Sequence, residues 1–205
     1  MFKILICLII GYGFGCFSTA YVLGKANNID IRNYGSGNAG TTNALRTLGW
    51  KAGFITFLGD AVKAIIPVLL VRFILQDDSY GQLLPLYAGL GVVLGHNFPF
   101  WLHFKGGKGI AATGGAMFAF DWRLGIAALV LFLIVVVITR YVSVGSLMIS
   151  LLFPVWILIL YLGNLHMLIV SLIFTVSAFI KHRSNIKRLL SGTENKIGQK
   201  VKIEK

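Results

Sequence analysis

Five runs of this sequence, 4–24, 53–75, 124–139, 144–162 and 165–181, are apolar almost from end to end. A helix crossing the hydrocarbon of a bilayer needs about 20 apolar residues. The runs therefore define an all-α integral membrane protein. Two shorter apolar runs, 83–95 and 110–120, are doubtful as spans. They are expected either as short helices buried among their neighbours or as a re-entrant pair. Gly114, Gly115 and the alanines around them would allow close helix packing there. Counting both gives seven transmembrane helices, two of them short, in a single polytopic membrane domain spanning 1–205. Composition agrees: 57% of the 205 residues are hydrophobic and 13% charged, where soluble domains carry roughly 25% charged residues. A soluble fold of this size could not hide so much apolar surface, and the same numbers exclude disorder.

The first run has the length and the lone Lys3 of a signal peptide, but more apolar runs follow instead of a soluble domain, so it is expected to be a retained span. Gly11 and Gly15 form a GxxxG pair, a packing signal. Cys7 and Cys16 are too few for a disulfide framework or a zinc site and read as small packing residues.

A net charge of +12 would suggest nucleic acid in a soluble chain. In a membrane protein it points instead to cytoplasmic loops and to anionic partners, lipid headgroups or phosphorylated substrates. With seven spans and the N-terminus outside, the inner loops hold Lys25, Arg32, Arg46, Lys51, Lys105, Lys108 and Arg140. The inner tail adds Lys181, Arg183, Lys187, Arg188, Lys196, Lys200, Lys202 and Lys205. Only Lys3, Arg72 and Arg123 fall outside, with Lys63 inside a span. The positive-inside rule then places the N-terminus outside and the C-terminus in the cytoplasm.

The polar residues gather in four stretches, all on that expected cytoplasmic side. In the first, Gly35 to Gly49, glycines with Ser36, Asn38, Thr41 and Asn43 lead into a short amphipathic piece. A loop of this kind feeding a helix N-terminus makes an anion site, and Arg46 can grip a phosphate with two hydrogen bonds. In the second, Gly95 to Gly109, the segment Lys105-Gly106-Gly107-Lys108-Gly109 sets two cations on backbone that a ligand can approach closely. It is not a Walker A loop: Leu102 and Gly109 stand where that motif needs Gly and Ser or Thr. The third, Thr139 to Ser146, contains Arg140 and Ser143 and could equally be an ordinary loop. The fourth is the basic tail from His182 to Lys196. If the last helix continues, His182 and Asn185, three apart, share a face.

Asp60 and Lys63 lie inside the second span, also three apart, and are expected to form an ion pair facing the bundle. The four histidines show no HExxH spacing, no carboxylate lies near His96 or His103 in sequence, and no histidine has Asp five residues on. No metal and no cofactor is expected, and the His-x4-Asp dyad of the common glycerolipid acyltransferases is absent. A transporter of a phosphorylated metabolite is the alternative, since it too tolerates intramembrane charge. Its outer loops, however, would be nearly featureless here.

The four stretches together resemble the acyl-phosphate:glycerol-3-phosphate acyltransferases of bacterial membranes, the PlsY family. The pattern GSGNxGxTNxxRxxG matches Gly35 to Gly49, GHxFPxxxxFKGGKG matches Gly95 to Gly109, Arg-x-x-Ser-x-x-Ser matches Arg140, Ser143 and Ser146, and HRxNIxRLxxGxExK matches His182 to Lys196. Gly15-Cys16-Phe17-Ser18 stands where the family has Gly-Ser-x-Pro, and Ala64 where it has glycine. The Thr that follows Lys-Gly-Gly-Lys-Gly is displaced by one, to Thr113.

The resemblance implies a seven-span enzyme of the bacterial cytoplasmic (inner) membrane. It would move an acyl group from acyl phosphate to the 1-hydroxyl of glycerol 3-phosphate, giving lysophosphatidic acid and phosphate, the first step of phospholipid biosynthesis. Its partners would be these substrates, membrane lipids and the enzyme that makes acyl phosphate, with no nucleic acid. By matching positions, Ser36, Gly37, Asn38 and Thr41 would bind phosphate. Arg46 and Lys105 would clamp a phosphate, His182 and Asn185 would orient glycerol 3-phosphate, and Ser143 would line the pocket. Asn43 and Lys108 would also face substrate, Lys108 mainly by holding its loop. Asp60, Lys63 and Glu194 would support these groups from behind.

Overall fold

The computed structural model describes residues 1–75 and 79–199. The tail cations Lys200, Lys202 and Lys205 lie outside the described residues. Ten α-helices and no strand occur among the described residues: α1 Phe2–Gly15, α2 Thr19–Ala26, α3 Thr41–Leu48, α4 Trp50–Ile74, α5 Leu83–Asn97, α6 Ile110–Phe120, α7 Trp122–Thr139, α8 Val142–Leu160, α9 Leu165–Lys181 and α10 Arg183–Leu190. Among the described residues, five segments are long and apolar enough to cross a membrane: Phe2–Ala26, Trp50–Ile74, Leu83–Leu102, Trp122–Thr139 and Val142–Leu160. A sixth is reached if α9 and α10, bent by 60° at His182, count as one span. The 11-residue α6 is apolar but about half the length a span needs.

The run expected as one unbroken first span is two helices. The chain leaves helical geometry at Ser18, whose φ of −114° and ψ of 99° are extended. Two donors from elsewhere take up carbonyls freed at the break. Trp101 Nε1 donates to the Cys16 carbonyl at 2.8 Å, and Lys63 Nζ to the Phe17 carbonyl at 2.5 Å. In a membrane such carbonyls have no water to turn to, so the break depends on these two side chains. The last span likewise does not continue straight. It turns at His182, and α10 starts there as a separate helix.

One short run expected to be buried among its neighbours is α5, which packs against α1, α4, α6 and α9. Its contact with α1 rests on glycine. A Cβ on Gly11 or Gly15 would collide with the backbone of Ala88 or Val92, and one on Gly91 or Gly95 with the backbone of α1. The GxxxG pair thus brings two backbones into direct contact. Cys7 and Cys16 are both buried and free. The core is completed by Phe120, Phe153 and Phe174, which pack in a row with ring centres 6.1 and 5.1 Å apart and ring planes tilted by 59° at each contact.

The loops that carry the four polar stretches converge on one end of the bundle. Arg32 Nη1 donates to the Leu102 carbonyl at 3.2 Å, and Ile197 N–H to the Arg140 carbonyl at 2.8 Å. The tail after α10 thereby folds back across α8 and α3.

Candidate active site

The glycine loop turns on Gly35 and Gly37, with φ of 61° and 68°. These values lie in the left-handed region that only glycine enters without strain. Asn43, buried in the first turn of α3, holds the loop from inside. Its Nδ2 donates to the carbonyls of Ile31 and Tyr34, each at 3.0 Å, and its Oδ1 accepts from the Ser36 N–H at 2.8 Å. Asn43 touches the cavity described below, but its amide is occupied by the loop. Ser36, Asn38 and Thr41 line that cavity, and Gly37 does not. The Thr41 hydroxyl is buried with no hydrogen-bond partner among the described residues. Gly40 opens α3, its carbonyl accepting from the N–H groups of Asn43 and Ala44 at 3.1 and 3.0 Å. About one turn on, Arg46 also lines the cavity, with Nη2 3.4 Å from the Asn195 carbonyl.

The Lys-Gly-Gly-Lys-Gly loop wraps His96. Gly107 N–H donates to the His96 carbonyl at 3.0 Å. A Cβ on Gly106 would strike that carbonyl, and one on Gly107 would strike the His96 ring. This turn sets Lys108 on the cavity wall, where its Nζ donates to Asn185 Oδ1. It leaves Lys105, expected as the partner of Arg46, exposed and off the wall. The cation the structure brings into the cavity beside Arg46 is thus Lys108. Burial, opposed in part by Glu194, lowers the Lys108 ammonium to about 8.

Glu194 ties three stretches together. Its Oε1 accepts from Ser143 Oγ at 2.9 Å and from Asn185 Nδ2 at 2.6 Å, and its Oε2 accepts from Arg188 Nε at 2.7 Å. Burial raises its carboxyl, but the hydrogen bonds from Asn185, Arg188 and Ser143 outweigh that and hold it below the ordinary range. His182 is oriented differently. Its Nδ1 lies 2.8 Å from the Ala178 carbonyl, an acceptor, so Nδ1 carries the proton and Nε2 the lone pair. Burial and then the Lys108 charge push the ring down to about 4, so it is neutral at pH 7.

Behind these groups the Asp60–Lys63 pair has a third member that sequence spacing did not reveal. Lys63 Nζ lies 2.8 Å from Asp60 Oδ1 and 2.8 Å from His96 Nδ1, and His96 Nδ1 lies 3.6 Å from Asp60 Oδ1. His96, without a carboxylate near it in sequence, gains one through the packing of α5 on α4. Asp60 and His96 line the cavity, and Lys63 sits just behind it.

Ser36, Asn38, Thr41, Asn43, Arg46, Asp60, His96, Lys108, Ser143, His182, Asn185 and Glu194 border one cavity of about 410 Å³. Beyond the polar groups it continues as an apolar arm between α4, α6, α7 and α8, lined by Ile65, Gly114, Phe118, Leu129 and Phe132 among others. Phe118 and Leu129 are 46% and 49% exposed, which carries the arm to the lipid-facing surface of the bundle. No group of three or more His, Cys, Asp or Glu placed to hold a metal occurs among the described residues.

The fold is a bundle of apolar helices around a cavity that is cationic at one end and apolar along its arm, a shape that suits a membrane-embedded acyltransferase. The chain belongs to the glycerol-3-phosphate acyltransferase family, whose model matches residues 5–192. Among its relatives, the glycerol-3-phosphate acyltransferase of Thermoanaerobacter sp. (strain X514) is 45% identical over 197 residues, covering 96% of each chain. That of Clostridioides difficile (strain 630) is 45% identical over 202 residues, covering 98% of each. Among solved structures, crystal structures of the integral membrane glycerol 3-phosphate acyltransferase PlsY (YgiH) superpose closely. The glycerol 3-phosphate form has a TM-score of 0.86 at 32% identity, covering 95% of this chain and 96% of that one. The lysophosphatidic acid form has a TM-score of 0.83 at 31% identity, covering 96% of each.

Proposed function

We propose that this chain transfers a fatty acyl group from acyl phosphate to the 1-hydroxyl of glycerol 3-phosphate, releasing 1-acylglycerol 3-phosphate and phosphate. The observation that carries the reading is the shape of the cavity. One end gathers Ser36, Asn38, Thr41, Arg46 and Lys108, and the other is an apolar arm open toward lipid. Two phosphorylated substrates need the first, and a fatty chain needs the second.

In this reading the phosphate of acyl phosphate sits on the glycine loop and the first turn of α3. Arg46 clamps a phosphate, with Lys105 closing from the exposed side of its loop and Lys108 from the wall. His182 Nε2 and Asn185 hold glycerol 3-phosphate. Ser143 lines the pocket, and Glu194 fixes Ser143 and Asn185 in place. The hydroxyl oxygen attacks the acyl carbonyl carbon, the tetrahedral intermediate collapses, and the C–O bond to phosphate breaks. The hydroxyl proton passes to the departing phosphate oxygen, which grows more basic as that bond breaks. Fixed cations and N–H donors aimed at the developing negative charge supply the stabilisation. No step calls for a cofactor.

The reading also takes the chain as a single polytopic domain over 1–205 with seven helices, α6 included, in a bacterial cytoplasmic membrane. The N-terminus faces out, and the site faces the cytoplasm, where glycerol 3-phosphate and the enzyme that makes acyl phosphate would be met. A donor comparison tests the chemistry. Purified protein should acylate glycerol 3-phosphate from acyl phosphate in the presence of a chelator and should ignore acyl-coenzyme A. Efficient use of the thioester, or loss of activity with chelator, would contradict it.

A further inference from the structure

Helix α6 gives one face to the cavity along its length. Ile110, Gly114 and Phe118, spaced four apart, line it together with Gly115. At 1.5 Å of rise per residue, Ile110 and Phe118 are about 12 Å apart along the axis. The face therefore runs from the Lys108 end of the cavity to its lipid-facing end, and Gly114 is halfway.

The arm's glycines are not equivalent. A Cβ on Gly115 would collide with the Ala61 carbonyl of α4, and one on Gly125 would lie 2.5 Å from Phe118 Cα. Those two glycines let helices touch. A Cβ on Gly114 would meet nothing within 4 Å. Packing does not ask for glycine at this position, and alanine would make a better helix. What the missing side chain leaves is open space in the middle of the arm.

We infer that Gly114 sets the length of acyl chain the cavity accepts. Bare backbone at the midpoint keeps the outer half of the arm open to a long chain. A side chain there closes that half and leaves the polar end untouched. The inference rests on the acyl-transfer reading above and assigns chain selectivity within it to one position.

The test uses purified full-length protein and a ladder of saturated acyl phosphates from medium to long chain. A methylene that no longer fits a pocket lowers kcat/KM by about 10- to 200-fold. Gly114→Leu should therefore lower kcat/KM for the longest donor by at least about tenfold relative to medium-chain donors. Medium-chain turnover and the KM for glycerol 3-phosphate should stay at wild-type values. Gly114→Ala should shift the profile less, in the same direction. Gly13→Leu, at a lipid-exposed glycine of α1 with equally open surroundings, should leave the profile unchanged. Thermal melting in detergent accompanies each assay. An unchanged profile in Gly114→Leu overturns the inference, as does an equal loss on all donors with a lowered Tm, which would make Gly114 a packing residue. A wild-type protein inactive with every acyl phosphate would sink the acyl-transfer reading itself, a different outcome.

Discussion

His182 faces the cavity as a neutral ring, its Nδ1–H held by the Ala178 carbonyl and its Nε2 left as an acceptor. A ring held down to about 4 is a weak base at neutral pH, whereas efficient general bases have pKa values near the working pH and contribute about 10²–10⁴-fold. The arrangement suits a hydrogen bond to a substrate hydroxyl better than proton abstraction. His182→Gln, which keeps a hydrogen-bonding group, should retain appreciable turnover and raise the KM for glycerol 3-phosphate. A thousandfold fall in kcat at unchanged KM would make His182 the base. Lys108 gives a pH dependence. Its ammonium, lowered to about 8 chiefly by burial, is charged below that pH and neutral above it. Anion affinity carried by Lys108 is therefore present at lower pH and lost as pH rises through 8. The KM for glycerol 3-phosphate should climb across that range in the wild type and stay level in Lys108→Arg, whose guanidinium keeps its charge. Parallel profiles for the two proteins would remove Lys108 from anion binding.

Among the elements, the broken first span and α4 depend on each other. Lys63 joins them by donating to the Phe17 carbonyl while pairing with Asp60. Removing one partner of a buried ion pair costs about 3–5 kcal/mol because the other charge is left unpaired. Lys63→Met should accordingly lower the melting temperature in detergent sharply, and Asp60→Asn added to it should recover part of the loss. A double variant as unstable as the sum of the two single ones would show that the pairing contributes nothing. Little of this was legible in the sequence. The i, i+3 spacing announced the pair, but His96 reaches it only because α5 packs on α4. Nor was the helix break announced, since Ser18 stands where the family pattern has proline. What was legible were the stretches themselves: in so apolar a chain, glycines beside Ser, Asn and cations stand out, and residues from all four meet at one cavity. Lys105 and Lys108 could not be told apart in sequence. The turn around His96 decides which one points inward, and that turn exists only in the folded protein. Glu194 was legible as the acid of the fourth motif, expected to support the site from behind, but not which groups it would hold. Its hold on Ser143, Asn185 and Arg188 needs the tail to fold back over α8.

For the whole molecule, the loops converging at one end imply that everything chemical happens on one side of the membrane. Native Cys7 and Cys16 are buried, so single introduced cysteines can report sidedness. Gly163→Cys should react with an impermeant thiol reagent from outside intact cells, and Ser191→Cys only after permeabilisation. Labelling of position 191 from outside would reverse the orientation. The central claim is that one cavity binds both substrates and transfers the acyl group between them. It is tested most directly by product stoichiometry with purified protein in detergent, where no second compartment exists and transport cannot register. The account predicts one lysophosphatidic acid and one phosphate for each acyl phosphate consumed, only when glycerol 3-phosphate is present, with near-background rates for Arg46→Ala and Lys105→Ala. Absence of acyl transfer by the purified wild type, or wild-type rates in Arg46→Ala, would contradict it.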